Sequence, residues 1–320
     1  MPYLARISIA GLSACLLFAS ASHARSRCTR TLAAGADVQA ALDQARPGQT
    51  ICLRAGAYQG DLDIAVGGSP NHRLTLTSAP GQRAAIAGIV WIAANDVTVS
   101  NLLIDGHGQH QNAVQLTAAQ TRLFGNDITN SHSDNSCVIL GDHSYGRADY
   151  PVISHNLIHD CGLRSSNFDH GIYDSYSIGA RITDNVISAN ATYGVQIYPD
   201  ARAGLISANI IIYNGKGIVF GGDNGTTSDA NRLQGNLIAY PRVGFNIETY
   251  WPQRPGVGNV AVGNCLWGRG GGPGVEPQLT AVTLRRNRIG RPRLDAAFVL
   301  RGDPGCQAIA ASLRRAHPGP

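Results

Sequence analysis

The chain has 320 residues, of which 43% are hydrophobic and 15% charged, and 26 Arg plus Lys set against 21 Asp plus Glu give a net charge of +5. This modest basic excess carries no aromatic-basic motif, which argues against nucleic acid as a partner. The length would allow one domain or two, but no linker interrupts the repeats described below, so a single domain over residues 25–310 is expected, followed by a disordered tail at 311–320.

Arg6, an apolar stretch from Ile7 to Ala21 and the small-x-small triplet Ser22-His23-Ala24 read as a secretory signal peptide over residues 1–24. The apolar run is too short for a membrane span. Leu12-Ser13-Ala14-Cys15 also resembles a bacterial lipobox, which would leave a lipid on Cys15, but Leu16-Leu17-Phe18 carries the apolar run past it and favours the cleaved leader. A secreted or periplasmic protein is expected.

Asp37 to Ala45 has Val38, Ala41, Leu42 and Ala45 on one face, Asp37 as N-cap and Pro47-Gly48 as a stop, which predicts a short amphipathic helix. Gly48-Gln49-Thr50-Ile51-Cys52-Leu53-Arg54-Ala55-Gly56-Ala57-Tyr58 follows it.

From there an Asn-x-Ile/Leu unit recurs at Asn126, Asn156, Asn185, Asn209 and Asn236, with looser copies at Asn101, Asn264 and Asn287; successive spacings are 25, 30, 29, 24, 27, 28 and 23 residues. A second unit, a small residue followed by apolar-x-apolar, lies between them at Gly171-Ile172-Tyr173-Asp174, Gly194-Val195-Gln196-Ile197, Gly217-Ile218-Val219-Phe220 and Gly244-Phe245-Asn246-Ile247. Short runs such as Arg181-Ile182-Thr183 precede each Asn. All are period-2 and too short for helices. Three short strands in about 25 residues describe one coil of a parallel β-helix. A leucine-rich-repeat solenoid would need Leu-x-x-Leu-x-Leu and a helix in each unit, and neither is present. The asparagines are expected at the bend between two strands, adopting a left-handed backbone and bonding to the same amide one coil away.

Six cysteines remain beyond the leader, and without any Cys-x-x-Cys spacing to suggest zinc they favour disulfides in an exported chain. Sequence alone leaves the connectivity open. Pairs that would tie neighbouring coils or an end cap are Cys28 with Cys52, Cys137 with Cys161, and Cys265 with Cys306.

The helix followed by P-G-x-T-I-x-L-x-x-G-x-Y resembles the N-terminal cap and first coil of the pectin-lyase-like, right-handed parallel β-helix superfamily. With the coils, the resemblance covers most of residues 36–290. It implies an all-β, single-stranded right-handed solenoid with a short capping helix. It leaves the reaction open, because the superfamily includes polysaccharide lyases, glycoside hydrolases, uronate epimerases, adhesins and tailspikes.

Alternation puts Ile172, Val195 and Ile218 inside and Tyr173, Gln196 and Val219 outside, with Asn246 as the outward member of the fourth copy. His170, Tyr193 and Lys216 precede three successive glycines at spacings of 23 and 23 residues, one coil each. They should form a column about 10 Å long, comparable with two sugar residues. Lys216 is the only lysine beside 25 arginines, and Lys can exchange protons where Arg cannot. In β-elimination from a uronate one group neutralises the carboxylate, a base removes the C5 proton and an acid protonates the leaving oxygen. Lys216, His170 and Tyr193 are the candidates for those roles, with Tyr173, Gln196, Asn246, Tyr250 and Trp251 as candidate substrate contacts. Asp200 and Asp223 each lie six residues after their glycine and are candidates for a Ca²⁺ pair, for the acid and nucleophile of a glycosidase, or for turn formers. The resembled hydrolases carry Asn-Thr-Asp, Asp-Asp, Gly-His-Gly and Arg-Ile-Lys in order; here only Gly106-His107-Gly108 appears. The Asp-Pro-His-Glu motif of alginate epimerases is absent.

An insertion, Cys161 to Asp169, should overhang this strand, amid His155, His159, Asp160 and Arg164. Asp174 should point inward, bonded to backbone, Ser136 or Ser175. Arg285, Arg286, Arg288, Arg291 and Arg293 make the C-terminal end basic. The expected partner is an acidic polysaccharide met by a monomer, with lyase chemistry set against a non-catalytic glycan-binding or envelope protein.

Overall fold

The computed structural model describes residues 27–108, 110–223, 225–250, 256–294, 300–301 and 306. The expected leader with Cys15, Trp251 and the expected tail at 311–320 lie outside them. The chain forms a right-handed parallel β-solenoid of about 11 turns with almost no helix. Three parallel sheets of 11, 9 and 10 strands run along it. No helix among the described residues is long and apolar enough to cross a membrane.

Along most coils the strands send apolar side chains inward, and these align from coil to coil. Leu76, Val99, Leu123, Ile153, Ile182 and Ile206 are in register on one sheet, and Ile104, Ile128, Ile158, Ile187 and Ile211 on another; all are buried. Each contributes about 1.5–3 kcal/mol by leaving water, so the stack supplies the stability that one three-residue strand cannot. The N-terminal end is closed by the helix Val38–Asp43, which buries Val38, Ala41 and Leu42 and is capped by Asp37 accepting the Ala40 N–H.

The asparagines form a buried ladder. Each Nδ2 donates to the Oδ1 of the next Asn, from Asn126 through Asn156, Asn185, Asn209, Asn236 and Asn264 to Asn287, at 2.9–3.1 Å. One detail differs from expectation. The left-handed residue is the one before each ladder Asn: Gly125, His155, Asp184, Ala208, Gly235, Gly263 and Arg286 all have positive φ. The asparagine follows the bend and turns its amide inward, where it satisfies its neighbour's backbone N–H as well. Asn101 occupies the left-handed position itself, and Leu102 takes the ladder place by donating its N–H to Asn126 Oδ1.

Three disulfides join Cys28 to Cys52, Cys137 to Cys161 and Cys265 to Cys306, with Cα atoms 5.5–5.6 Å apart. These are the expected pairs.

The nine-stranded sheet carries the proposed site. Its main path runs through β1 (Leu62–Ile64), β2 (Val90–Ile92), β3 (Val114–Leu116), β4 (Val138–Leu140), β5 (Ile172–Ile178), β6 (Tyr193–Arg202), β7 (Lys216–Gly221) and β8 (Ile247–Tyr250). Ile172, Val195, Ile218 and Ile247 are the inward residues in register. The fourth repeat copy is therefore displaced by two residues from its apparent alignment, with Ile247 and not Phe245 opposite Ile218. Asn246, not Gly244, continues the glycine column: a Cβ on Gly217 would lie 2.2 Å from the Asn246 carbonyl oxygen.

Candidate functional site

The strand register brings the column together. Tyr193 pairs with Lys216 across β6 and β7, and the Tyr193 N–H donates to His170 Nδ1 at 3.4 Å from one coil earlier. The His170 ring lies 5.4 Å from that of Tyr193 and 5.6 Å from that of Tyr173. Around them is a concavity of about 610 Å³ lined by His170, Tyr173, Tyr193, Gln196, Lys216 and Tyr250, with Asn167, Phe168, Thr192 and Tyr198.

Glu248 completes the centre, and the apparent repeat alignment had hidden it. The two-residue displacement at β8 puts Glu248 opposite Val219, in the outward row of Tyr173 and Gln196. Its Oε1 accepts from Lys216 Nζ at 2.8 Å and from the Tyr193 hydroxyl, while Lys216 Nζ lies 3.1 Å from that hydroxyl. The same displacement removes Asn246 from the groove; it is buried, with Nδ2 donating to the Pro273 carbonyl.

These surroundings set the protonation states. Burial pushes the Tyr193 hydroxyl well above its ordinary range, and the Glu248 charge adds to the rise, so Tyr193 holds its proton. His170 is lowered to about 3, first by burial and then by the Lys216 charge, against a Gln196 hydrogen bond that favours the charged ring. The imidazole is neutral, and its Nδ1 lone pair already faces the Tyr193 N–H. Burial also raises Tyr173.

The insertion after Cys161 does overhang the groove. Phe168 at its end is 79% exposed and lines the concavity. The loop is held from below, where Thr192 Oγ1 donates to the Ser166 carbonyl and Asp169 Oδ2 accepts the Leu163 N–H. Tyr250 lines the opposite part, with its ring 6.4 Å from that of Tyr198. His159 belongs to a neighbouring sheet, where Asp127 and Asp160 flank its two ring nitrogens at 2.9 and 2.7 Å.

Asp200 and Asp223 have separate partners. Asp200 is buried and lies 2.6 Å from Arg202 Nε, while Asp223 accepts from the Tyr198 hydroxyl at 2.9 Å. A register shift in the pairing of β5 with β6 puts Asp200 opposite Tyr176. Ca²⁺ needs six or more oxygen ligands, and among the described residues no three His, Cys, Asp or Glu side chains gather to hold a metal. With one carboxylate already neutralised by Arg202, this pair does not fit a Ca²⁺ site.

Asp174 points inward, as alternation requires, and is fully buried. Its two oxygens have no hydrogen-bond partner, so neither Ser136 nor Ser175 serves it as expected. Ser136 Oγ instead accepts the His170 N–H.

A family model described as the right handed beta helix region matches residues 87–250, just over half of the chain. The chain belongs to that family. Among solved structures it is similar to an alginate lyase from Paenibacillus sp. str. FPU-7, at 16% identity and a TM-score of 0.56 over 82% of this chain and 100% of that one. It is also similar to pectate lyase Pel9A, at 12% identity and a TM-score of 0.54 over 82% of this chain and 78% of that one. A third similarity is to PfbA, a surface adhesin of Streptococcus pneumoniae, at 10% identity and a TM-score of 0.54 over 78% of this chain and 81% of that one. At these identities the likeness is one of fold. No curated protein matches.

Proposed function

We propose that this chain is an exported carbohydrate-active enzyme that cleaves a uronate-bearing polysaccharide by β-elimination in the groove over β5 to β8. The observation that carries the reading is the convergence of Lys216, Tyr193 and Glu248 within hydrogen-bonding distance of one another, with Lys216 and Tyr193 lining a sugar-sized concavity and Glu248 buried behind them. A structural pair would not need a phenol between its two charges.

β-Elimination breaks the C5–H bond, forms a C4–C5 double bond and expels the glycosidic oxygen from C4. Lys216 has three N–H donors, two of which are directed at Tyr193 and Glu248, and the third receives the substrate carboxylate. In one concerted step the C5 proton passes to the Tyr193 oxygen while the Tyr193 proton passes to Glu248, so the hydroxyl stays protonated throughout, and the partial phenolate character of the transition state is stabilised by Lys216. The leaving oxygen then takes one proton back from this unit, which ends the cycle with as many protons as it began. His170, with no free lone pair on Nδ1, positions Tyr193. Gln196 and the rings of Tyr173 and Tyr250 contact the sugar, and Trp251 is proposed as a further contact next to Tyr250.

The test is a screen of the secreted chain against pectate, alginate, chondroitin and heparin, reading new ultraviolet absorbance from unsaturated uronate ends. Absorbance that appears with the native chain and disappears in Lys216→Ala, with the melting curve unchanged, supports the assignment. No unsaturated product from any uronan, or full activity in Lys216→Ala, overturns it. Absence of cleavage with retained binding would leave the glycan-binding reading, which the aromatic lining of the groove favours.

A further inference from the structure

The outward row of the nine-stranded sheet continues well beyond the concavity. Asp63, Trp91, Gln115, Ile139, Tyr173, Gln196, Val219 and Glu248 are in register across β1 to β8. From Trp91 to Val219 the row holds no charged side chain. Two cations along its flank are already paired, with Arg147 Nε 2.6 Å from Asp149 and Arg202 Nε 2.6 Å from Asp200. Among the described residues, Lys216 is the only cationic side chain lining the concavity.

At the far end of this uncharged floor stands an aromatic pair. Trp91 is half-buried, and its Nε1 donates to Thr117 Oγ1 at 2.8 Å, which fixes the indole. Tyr145, 63% exposed, packs perpendicular to it with ring centroids 5.2 Å apart. The loop that carries Tyr145 is folded back over this part of the sheet: Gly146 has φ +134°, and a Cβ there would lie 2.5 Å from the Thr117 carbonyl oxygen. An exposed tyrosine braced by a fixed indole is a ring surface of the kind that stacks on a pyranose.

We propose that Tyr145 and Trp91 form a distal subsite that stacks an uncharged pyranose ring of the same polysaccharide, so that the substrate is a heteropolymer carrying uronate only intermittently. The inference rests on the reading of the groove as a polysaccharide site. Five strand spacings separate Trp91 from Val219, on the strand that carries Lys216, about 24 Å or the length of about five sugar residues. A homopolymeric uronan would set a carboxylate over every step of this floor, losing hydration without gaining a counter-charge. Its last residue would also meet Asp63, directly beside Trp91 in the row. A neutral ring meets neither cost, and Lys216 remains for the single acidic residue at the centre.

The experiment compares binding of unsulfated chondroitin oligosaccharides, in which uronate alternates with a neutral hexosamine, and of oligogalacturonates matched in length, by calorimetry. It uses the native chain, Tyr145→Ala, and Tyr193→Phe as a variant impaired in cleavage. Tyr145→Ala is expected to weaken the chondroitin octasaccharide about tenfold, or ~1.4 kcal/mol, and to leave the disaccharide unchanged. The alternating octasaccharide is expected to bind more tightly than the homopolymer. Equal loss for short and long oligosaccharides, or tighter binding of the homopolymer, overturns the proposal. Because binding is read independently of cleavage, length-dependent loss in the Tyr193→Phe background upholds the subsite even if no elimination product forms.

Discussion

Lys216 Nζ lies 2.8 Å from Glu248 Oε1, although 32 residues separate them in the chain, and the hydroxyl of Tyr193 bridges the same two groups. The Glu248 side chain is 8% exposed and that of Lys216 26%, so the pair is shielded on one side and open to the groove on the other. Replacing Glu248 with Gln keeps the shape and removes the proton acceptor. Under the elimination scheme, turnover should fall a hundredfold or more. Tyr193→Phe should fall as far while preserving the Lys216–Glu248 contact, with a stability change within about 1–2 kcal/mol. Initial rates on a cleavable uronan and thermal melts of the three proteins provide the check; a rate in either variant within a few-fold of native would remove that residue from the proton path.

The ladder makes a separate prediction about stability. Asn209 Oδ1 accepts the Asn185 backbone N–H and its Nδ2, while Asn209 Nδ2 donates to Asn236 Oδ1 and to the Ile182 carbonyl. Leucine at this position fills the volume but leaves two donors, the Asn185 backbone N–H and its Nδ2, and two acceptors, Asn236 Oδ1 and the Ile182 carbonyl, each short of a bond in the interior. At about 1–3 kcal/mol for each unsatisfied group, Asn209→Leu should cost at least about 3 kcal/mol by denaturant titration. Ala208→Gly, at the left-handed position before it, should be neutral or stabilising, because φ there is +55°.

The ladder also marks what the sequence could reveal. Its asparagines repeat one per coil, and that period fixes the three-strand coil and the placement of His170, Tyr193 and Lys216 in one column. Glu248 escaped because a strand slipped by two residues keeps every side chain on the same face. Gly244-Phe245-Asn246-Ile247 and Asn246-Ile247-Glu248-Thr249 satisfy the in-out alternation equally well. Only the close backbone approach of Gly217 to Asn246 distinguishes them, and this contact between coils has no period of its own. The bend was misread by one residue for a related reason: Asn tolerates the left-handed region, but here its amide is needed inside, so Gly, Ala, His, Asp or Arg takes the strained position before it.

Two buried groups below the groove should set opposite pH dependences. Burial raises the Asp174 carboxyl from 3.8 to about 7 and lowers the His170 imidazole from 6.5 to about 3. For Asp174 the folded state holds a proton that the unfolded chain has lost, so its contribution is favourable below 3.8 and fades as pH rises to about 7. For His170 the unfolded chain takes up a proton that the folded state refuses, so stability falls as pH drops from 6.5 toward about 3. Between pH 4 and 6.5 the two slopes oppose each other. Asp174→Asn should expose the histidine effect, with melting temperature falling on acidification. His170→Gln should expose the carboxyl effect, with melting temperature rising. Parallel melting curves against pH for both variants and the native chain would show that these groups do not control stability.

The disulfide between Cys137 and Cys161 connects stability with access to the groove. Its sulfurs join residues 24 apart, and closing a loop of that size stabilises by about 3 kcal/mol through the unfolded chain. Cys161 also begins the insertion whose Phe168 lines the concavity, so releasing it frees the near end of the overhang. The Cys137→Ala, Cys161→Ala double variant should lose about 3 kcal/mol in chemical denaturation. It should also raise KM for a long polysaccharide several-fold with little change in kcat, since the Lys216–Tyr193–Glu248 centre lies on β6 to β8 and not on the loop. A stability loss with unchanged KM would assign the positioning of Phe168 to the bonds from Thr192 to the Ser166 carbonyl and from Leu163 to Asp169, leaving the disulfide to hold adjacent coils.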